Sequence, residues 1–301
     1  MRVTNQILYQ TVTQNIQRPL ARMRQDQIEL STQRRINRHA DDPAGSAQVR
    51  GLRSDLAGVQ QFQRNINNAI SWMQSSESAL DSLDSVIQRG KVLAVEGASA
   101  NRSADDRDLL AVEVNQLLES AFSIANTDMG DEFLFAGLDT NTAPFVATRD
   151  TTNEITAITM GGDPTGTILR EVDTGSYVAI NVPGTAVFDL STGPFATLIS
   201  LRDALRQNNI PEIQNTLTSF DNNLDDVLGS RGAIGGVQAR LEQLDRRLEL
   251  NSVDVRSAIS EIEDVDFAEL LTRSSANETA YRAALSAGSR LLETTVLDYL
   301  R

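Results

Sequence analysis

"NRHADDPAG", residues 37–45, contains the only histidine of the 301-residue chain, followed closely by two aspartates. Two readings compete. A His–Asp–Asp cluster suggests metal or acid–base chemistry, whereas "DDPAG" is also how a chain leaves a turn and enters a helix. A metal site would need further ligands at defined spacing, and no second histidine exists. A serine or cysteine nucleophile would need His39 as its base, but no nucleophile motif accompanies it. The helix-entry reading uses every residue. Asp41 or Asp42 offers an N-cap oxygen, and Pro43 takes the first helical position, where its missing N–H costs nothing. Both carboxylates also suit the positive end of the following helix. The stretch reads as punctuation, so a long helix is expected on either side.

Upstream, Tyr9, Val12, Ile16, Leu20, Met23, Gln27 and Leu30 recur at spacings of three and four, the stripe of a coiled-coil helix. Pro19 lies inside it and predicts a kink. Downstream, Val49, Leu52, Leu56, Val59, Ile66, Ile70, Met73, Leu80 and Ile87 mark a helix from about 43 to 98. At ~1.5 Å per residue it would be roughly 80 Å long, a rod rather than an element of a globule. Ser103 then caps a helix carrying Leu110, Val114, Leu117, Ala121 and Ile124. Late in the chain, Ile234, Val237, Leu241, Leu244, Leu248, Val255, Ile259 and Ile262 keep the same rhythm.

The last segment matches the first in character. Phe267, Leu271, Ser274, Tyr281, Leu285, Gly288, Leu292 and Tyr299 form one stripe, and Ala280, Ala284 and Gly288 allow a neighbour to approach closely. The two ends differ in charge. Residues 1–38 hold seven arginines against Asp26 and Glu29, a net of +5; residues 257–301 hold eight carboxylates against four arginines, a net of −4. Such ends should attract one another, or the ends of neighbouring copies. With no other partner inside the chain, residues 1–35 and 265–301 are expected to be flexible alone and to order on assembly.

Between about 141 and 195 the pattern changes. "GGDPTG", "DTGS", "VPGT" and "STGP" bracket the short strand-like runs "EITAITM", "TILREV" and "YVAINV". The expected fold is therefore mainly α with a small β insertion (α+β): a long antiparallel helical rod built from both chain ends. Its parts would be terminal helices at 1–40 and 258–301, a helical rod at 41–140 and 196–257, and an inserted β-domain at 141–195.

Composition narrows the function. Aromatic residues make up only 5% of the chain, which favours helix-on-helix packing over a thick globular core. A net charge of −14 argues against nucleic acid as a partner. No run approaches the ~20 apolar residues of a membrane span, and the start lacks the apolar core of a cleaved secretory signal. The absence of cysteine excludes disulfides and thiolate metal sites. "IEDVDFAE" (262–269) lacks the glycine and spacing of a calcium loop, and reads as the start of the last helix with Asp264 or Asp266 as cap. "GSRGAIGG" (229–236) lacks the lysine of a phosphate loop, and its glycines suggest a bend or a close helix approach. No catalytic, cofactor-binding or metal site is expected. The residues expected to matter are the seam Tyr9, Val12, Ile16, Leu20, Met23, Leu30, Phe267, Leu271, Tyr281, Leu285, Leu292 and Tyr299, with the turn cap Asp41, Asp42 and Pro43.

These segments resemble the bacterial flagellin superfamily: "RINRHADDPAGSAQVRGL" (35–52), "RGAIGGVQARLEQL" (231–244), "SEIEDVDFAE" (260–269) and the terminal "VLDYLR". The opening "MRVTNQILYQ" and "GDEFLFAGLDTNTAPF" (130–145) resemble the hook–filament junction branch more than filament flagellins. The resemblance implies a nonenzymatic, extracellular subunit, exported unfolded by the flagellar type III apparatus and assembling with itself into a ring or tube. It would sit between a proximal hook-associated protein and the first flagellins, after an export chaperone had held its C-terminal helix. A filament-forming flagellin is the neighbouring alternative. A different class is a cell-surface binding module or glycosidase acting through the β insertion, whose carboxylates are Glu154, Asp163, Glu171 and Asp173.

Overall fold

The structure is a computed structural model that describes residues 2–299, without the side chains of residues 2–6, 8, 9 and 291–299. Seven helices and six short strands follow in the order α1 (Arg2–Thr32), α2 (Pro43–Gly97), α3 (Ala104–Ala125), β1 (Asp128–Met129), β2 (Glu132–Phe133), β3 (Phe145–Arg149), β4 (Ile155–Met160), β5 (Leu169–Asp173), β6 (Ser176–Ala179), α4 (Gly184–Val187), α5 (Pro194–Arg206), α6 (Ile210–Glu263) and α7 (Phe267–Tyr299). The chain is mainly α with a small β insertion, as its periodicity predicts. α1 continues through Pro19.

Two compact units divide these elements. One comprises residues 1–58 and 251–301, the other residues 59–250, so α2 and α6 contribute to both.

In the unit of residues 59–250, the apolar stripe of α2 supplies Ile66, Leu80, Leu83, Ile87 and Leu93, and α3 supplies Val114 and Leu118. Leu198, Leu201 and Leu205 of α5 and Ile213, Phe220, Val227 and Leu241 of α6 complete this core, all without solvent exposure. α3 begins with a capping box: the Ser103 hydroxyl accepts from the Asp106 N–H, and the Asp106 carboxylate accepts from the Ser103 N–H. Trp72, unique in the chain, lies in this core, and its buried Nε1 has no hydrogen-bond partner among the described residues.

The strands form hairpins rather than one sheet, and the first hairpin precedes the 141–195 insertion. β1–β2, β3–β4 and β5–β6 are separate antiparallel pairs, with register shifts at Thr148/Arg149 and Glu171/Asp173. A two-stranded hairpin buries too little to stand alone. These lean on an aromatic knot in which Phe188 contacts Phe135, Phe145 and Phe195 at centroid distances of 5.3–5.5 Å. Buried Arg202 of α5 adds a polar tie, donating to the Ile155 carbonyl at 2.5 Å and to Asn115 Oδ1 at 3.2 Å.

The "GSRGAIGG" stretch lies inside α6, and a Cβ added at Gly229, Gly232, Gly235 or Gly236 would meet nothing within 4 Å. These glycines therefore do not serve a close approach within this chain.

Candidate assembly interface

The unit of residues 1–58 and 251–301 contains every seam and turn residue singled out from the sequence. At the turn, Asp42 Oδ1 accepts the Gly45 N–H at 2.9 Å, so Asp42 is the N-cap of α2 and Pro43 opens the helix. That bond, helped by nearby Arg35, holds the Asp42 carboxyl below its ordinary pKa. Asp41 has a different task. Its Oδ2 accepts from the N–H groups of Asn37 and Arg38 at 3.1 and 2.8 Å, closing the loop. His39 bonds the Ser46 hydroxyl through Nδ1.

This loop is tied to the joint between α6 and α7. The Glu263 carbonyl accepts the Arg35 N–H at 2.7 Å, and Val265 N–H donates to the Gln33 carbonyl at 3.2 Å. The buried Glu263 carboxylate accepts from Arg53 at 2.8 and 2.6 Å and faces Arg34 at 3.4 Å. Asp266 then caps α7, accepting from the Ala268 and Glu269 N–H groups at 2.8 and 3.2 Å. Asp264 lies in the joint itself, bridged to Arg34.

Beyond the joint, α1 and α7 pair antiparallel. At one end Arg273 and Asn277 reach Asp26 and Glu29; at the other, a Cβ on Gly288 would lie 3.1 Å from Val12 and 3.4 Å from Ile16. The two ends of the chain are thus each other's partners, the first of the two pairings expected of them. Val12, Ile16, Leu20, Met23 and Leu30 are half-buried along α1, as is Tyr281 on α7. The side chains of Tyr9, Leu292 and Tyr299 lie outside the described residues.

Phe267, Leu271 and Leu285 lie elsewhere. They are 45%, 56% and 43% exposed, forming an uncovered apolar stripe on α7. The covered stripe is Leu270, Ser274, Asn277, Tyr281, Ala284 and Gly288, which has the same three-and-four spacing shifted in phase. Ser274, Tyr281 and Gly288 belong to both stripes; Leu270 and Asn277 are what the sequence stripe passed over.

Sequence reading also missed the polar centre of the pair. Asp26 and Glu29 are only 2% and 6% exposed. Asp26 accepts from Arg273 Nε at 2.9 Å and from Asn277 Nδ2 at 2.7 Å. Glu29 accepts from Arg273 and from Gln25. Burial opposes the Arg273 charge, but its bonds to Glu29 and Asp26 raise its pKa above the usual arginine value.

The carboxylates of the β insertion are committed locally. Glu154 takes both arms of Arg206 at 2.7 Å, Asp163 holds its own turn through Thr165, Glu171 accepts from Gly175 N–H, and Asp173 pairs with Arg247. Among the described residues, no group of three or more His, Asp or Glu is placed to hold a metal ion. No described helix is long and apolar enough to cross a membrane.

Known proteins resemble this chain in sequence and in fold. The bacterial flagellin N-terminal helical region matches residues 3–140, and the flagellin C-terminal helical region matches residues 217–300. A flagellin of Halalkalibacterium halodurans is 29% identical over 91% of this chain and 90% of its own. The flagellar hook-associated protein 3 of Escherichia coli is 25% identical over 95% of this chain and 96% of its own. The crystal structure of hook-associated protein 3 from Legionella pneumophila superposes with a TM-score of 0.62 at 14% identity, covering 71% of this chain and 98% of that one.

Proposed function

The chain belongs to the bacterial flagellin superfamily and is a structural subunit of the flagellum, and on that premise we propose that it joins hook to filament. The observation that carries this reading is the segment 130–145. Its Phe135 and Phe145 are wholly buried in the aromatic knot with Phe188 and Phe195, so the Phe-Ala-Gly…Pro-Phe pattern that resembles junction subunits is built into the core. The near end-to-end likeness to a hook-associated protein 3, over 95% of this chain against 91% for the flagellin, supports it.

In this reading the subunit is not an enzyme. It leaves the cell unfolded through the type III apparatus, with a chaperone on its C-terminal helix. The terminal pieces 1–40 and 258–301 pack with those of other copies into a ring or tube, and Phe267, Leu271 and Leu285 are the apolar groups a neighbour would cover. Residues 41–140 and 196–257 form the wall, and 141–195 project outward. Its neighbours are a proximal hook-associated protein on one side and flagellin on the other.

Electron microscopy of cells lacking the gene, with flagellin assayed in the medium, tests this. Bare hooks and shed flagellin are expected. Normal filaments on those hooks would overturn the junction reading; hooks without filaments and no flagellin in the medium would make the chain the filament flagellin itself.

A further inference from the structure

We propose that Asp26, Glu29, Arg273 and Asn277 form a register key, which admits one antiparallel alignment of α1 with α7 and rejects alignments displaced by a heptad. The apolar part of the seam specifies alignment weakly. Val12, Ile16, Leu20, Met23 and Leu30 follow the three-and-four rhythm along α1, and the facing stripe of α7 is rich in small residues. A repeated, loosely packed stripe can slide by seven residues and still bury apolar surface. The key cannot.

In the observed alignment both buried carboxylates find Arg273, and the second oxygen of Asp26 finds Asn277. Displaced one heptad in one direction, Ala280 would stand in place of Arg273 and Ala284 in place of Asn277. Two buried carboxylates would then have no cation. Displaced the other way, Asp266 would take the place of Arg273, adding a third carboxylate. Leaving such charges unpaired is far more costly than losing any one apolar contact, so the key acts by penalising wrong alignments. It adds little to the stability of the right one, since a buried ion pair roughly breaks even against apolar packing.

A helix from another copy, or from another subunit, would have to present arginine and asparagine four residues apart at the same height to replace α7. The inference concerns the pairing of the helices and stands apart from the junction reading, because it is tested on the purified full-length chain.

The chain has no cysteine, so introduced pairs report alignment directly. Val12→Cys with Gly288→Cys reports the observed register, where the two positions touch. Val12→Cys with Tyr281→Cys reports a one-heptad slip. In the otherwise unaltered chain, the first pair should cross-link at least about tenfold faster than the second. In the background Asp26→Leu, Glu29→Leu, Arg273→Leu, the two rates should converge to within about threefold, with helical content retained by circular dichroism. Arg273→Leu alone leaves both carboxylates without a cation, with only Asn277 and Gln25 donating to them, so both cross-links should fall. A tenfold preference that survives the triple change would overturn the key and leave the register to the Gly288 contact and to the backbone bridge between Arg34 and Asp264. No preference in the unaltered chain, or full cross-linking with Arg273→Leu, would overturn it as well.

Discussion

Asp26 and Arg273 meet at 2.9 Å with signs opposite to those of the helices that carry them. Asp26 is one of two acids in the basic N-terminal segment, and Arg273 is one of four arginines in the acidic C-terminal one. Net charge therefore does not describe this contact. Between exposed faces it attracts weakly and is screened by salt, whereas a buried pair is governed by the few groups that touch. Arg34, which does follow the net charge of its segment, acts at the joint on Glu263, beside Arg53 of α2.

Glu263 is where the loop after α1, the start of α2 and the end of α6 are tied together. Replacing it with alanine removes the acceptor of the two close Arg53 contacts and the partner of Arg34. Charge-assisted bonds of this kind are worth about 2 kcal/mol, reduced to about 1 kcal/mol because the arginines are half exposed. Thermal unfolding of Glu263→Ala should show a lower midpoint, and Glu263→Gln an intermediate one. An unchanged midpoint for both would mean that the backbone bridge between Arg34 and Asp264 holds the joint alone.

Glycines on different helices should respond in opposite ways. At Gly235 an added Cβ meets open space, so Gly235→Ala should stabilise α6 by up to about 1 kcal/mol through helix propensity. At Gly288 a Cβ already lies 3.1 Å from Val12, and a branched side chain there would push α1 away. Gly288→Leu should therefore cost the α1–α7 pairing, seen as faster protease cleavage within residues 10–30 while residues 59–250 resist. Equal resistance of the two variants would refute the close contact.

The helices were legible because their apolar spacing and their caps agree. Ser103 with Asp106, and Asp42 with Pro43, mark the starts of α3 and α2 in three or four letters. The seam on α7 was less legible. Phe267, Leu271 and Leu285, singled out from the sequence, stay exposed, while Leu270 and Asn277, which it passed over, lie on the covered face with Ser274, Tyr281 and Gly288. Polar groups hold that face, and a search for apolar stripes discounts them. The hairpins fall between these cases. Three of the six strands carry clear turn-bounded runs, but β3 depends on Phe145 entering a knot with Phe188 and Phe195, which are distant in sequence.

That knot makes Phe188 a sensitive position. It stacks on Phe195 at 5.3 Å and meets Phe135 edge-on at 5.3 Å, and it is fully buried. Phe188→Ala should cost about 3–5 kcal/mol, the usual range for emptying a buried aromatic site. Loss should appear first as faster hydrogen exchange in residues 145–179, since those hairpins have little core of their own. Uniform destabilisation of α2 and α3 with protected hairpins would contradict this order.

Asp189 offers a pH test at the start of α5. Its carboxylate accepts from the N–H and hydroxyl groups of both Ser191 and Thr192, and these bonds, led by the Ser191 hydroxyl, lower its pKa to about 2. The folded value lies below the ordinary 3.8, so the ionised form favours folding. This contribution is complete above the unfolded pKa and is lost as pH falls through about 2. Asp189→Ala should therefore melt below the unaltered chain at pH 6, and the gap should close toward pH 2. A gap that stayed constant across that range would show that the turn depends on the shape of the side chain and not on its charge.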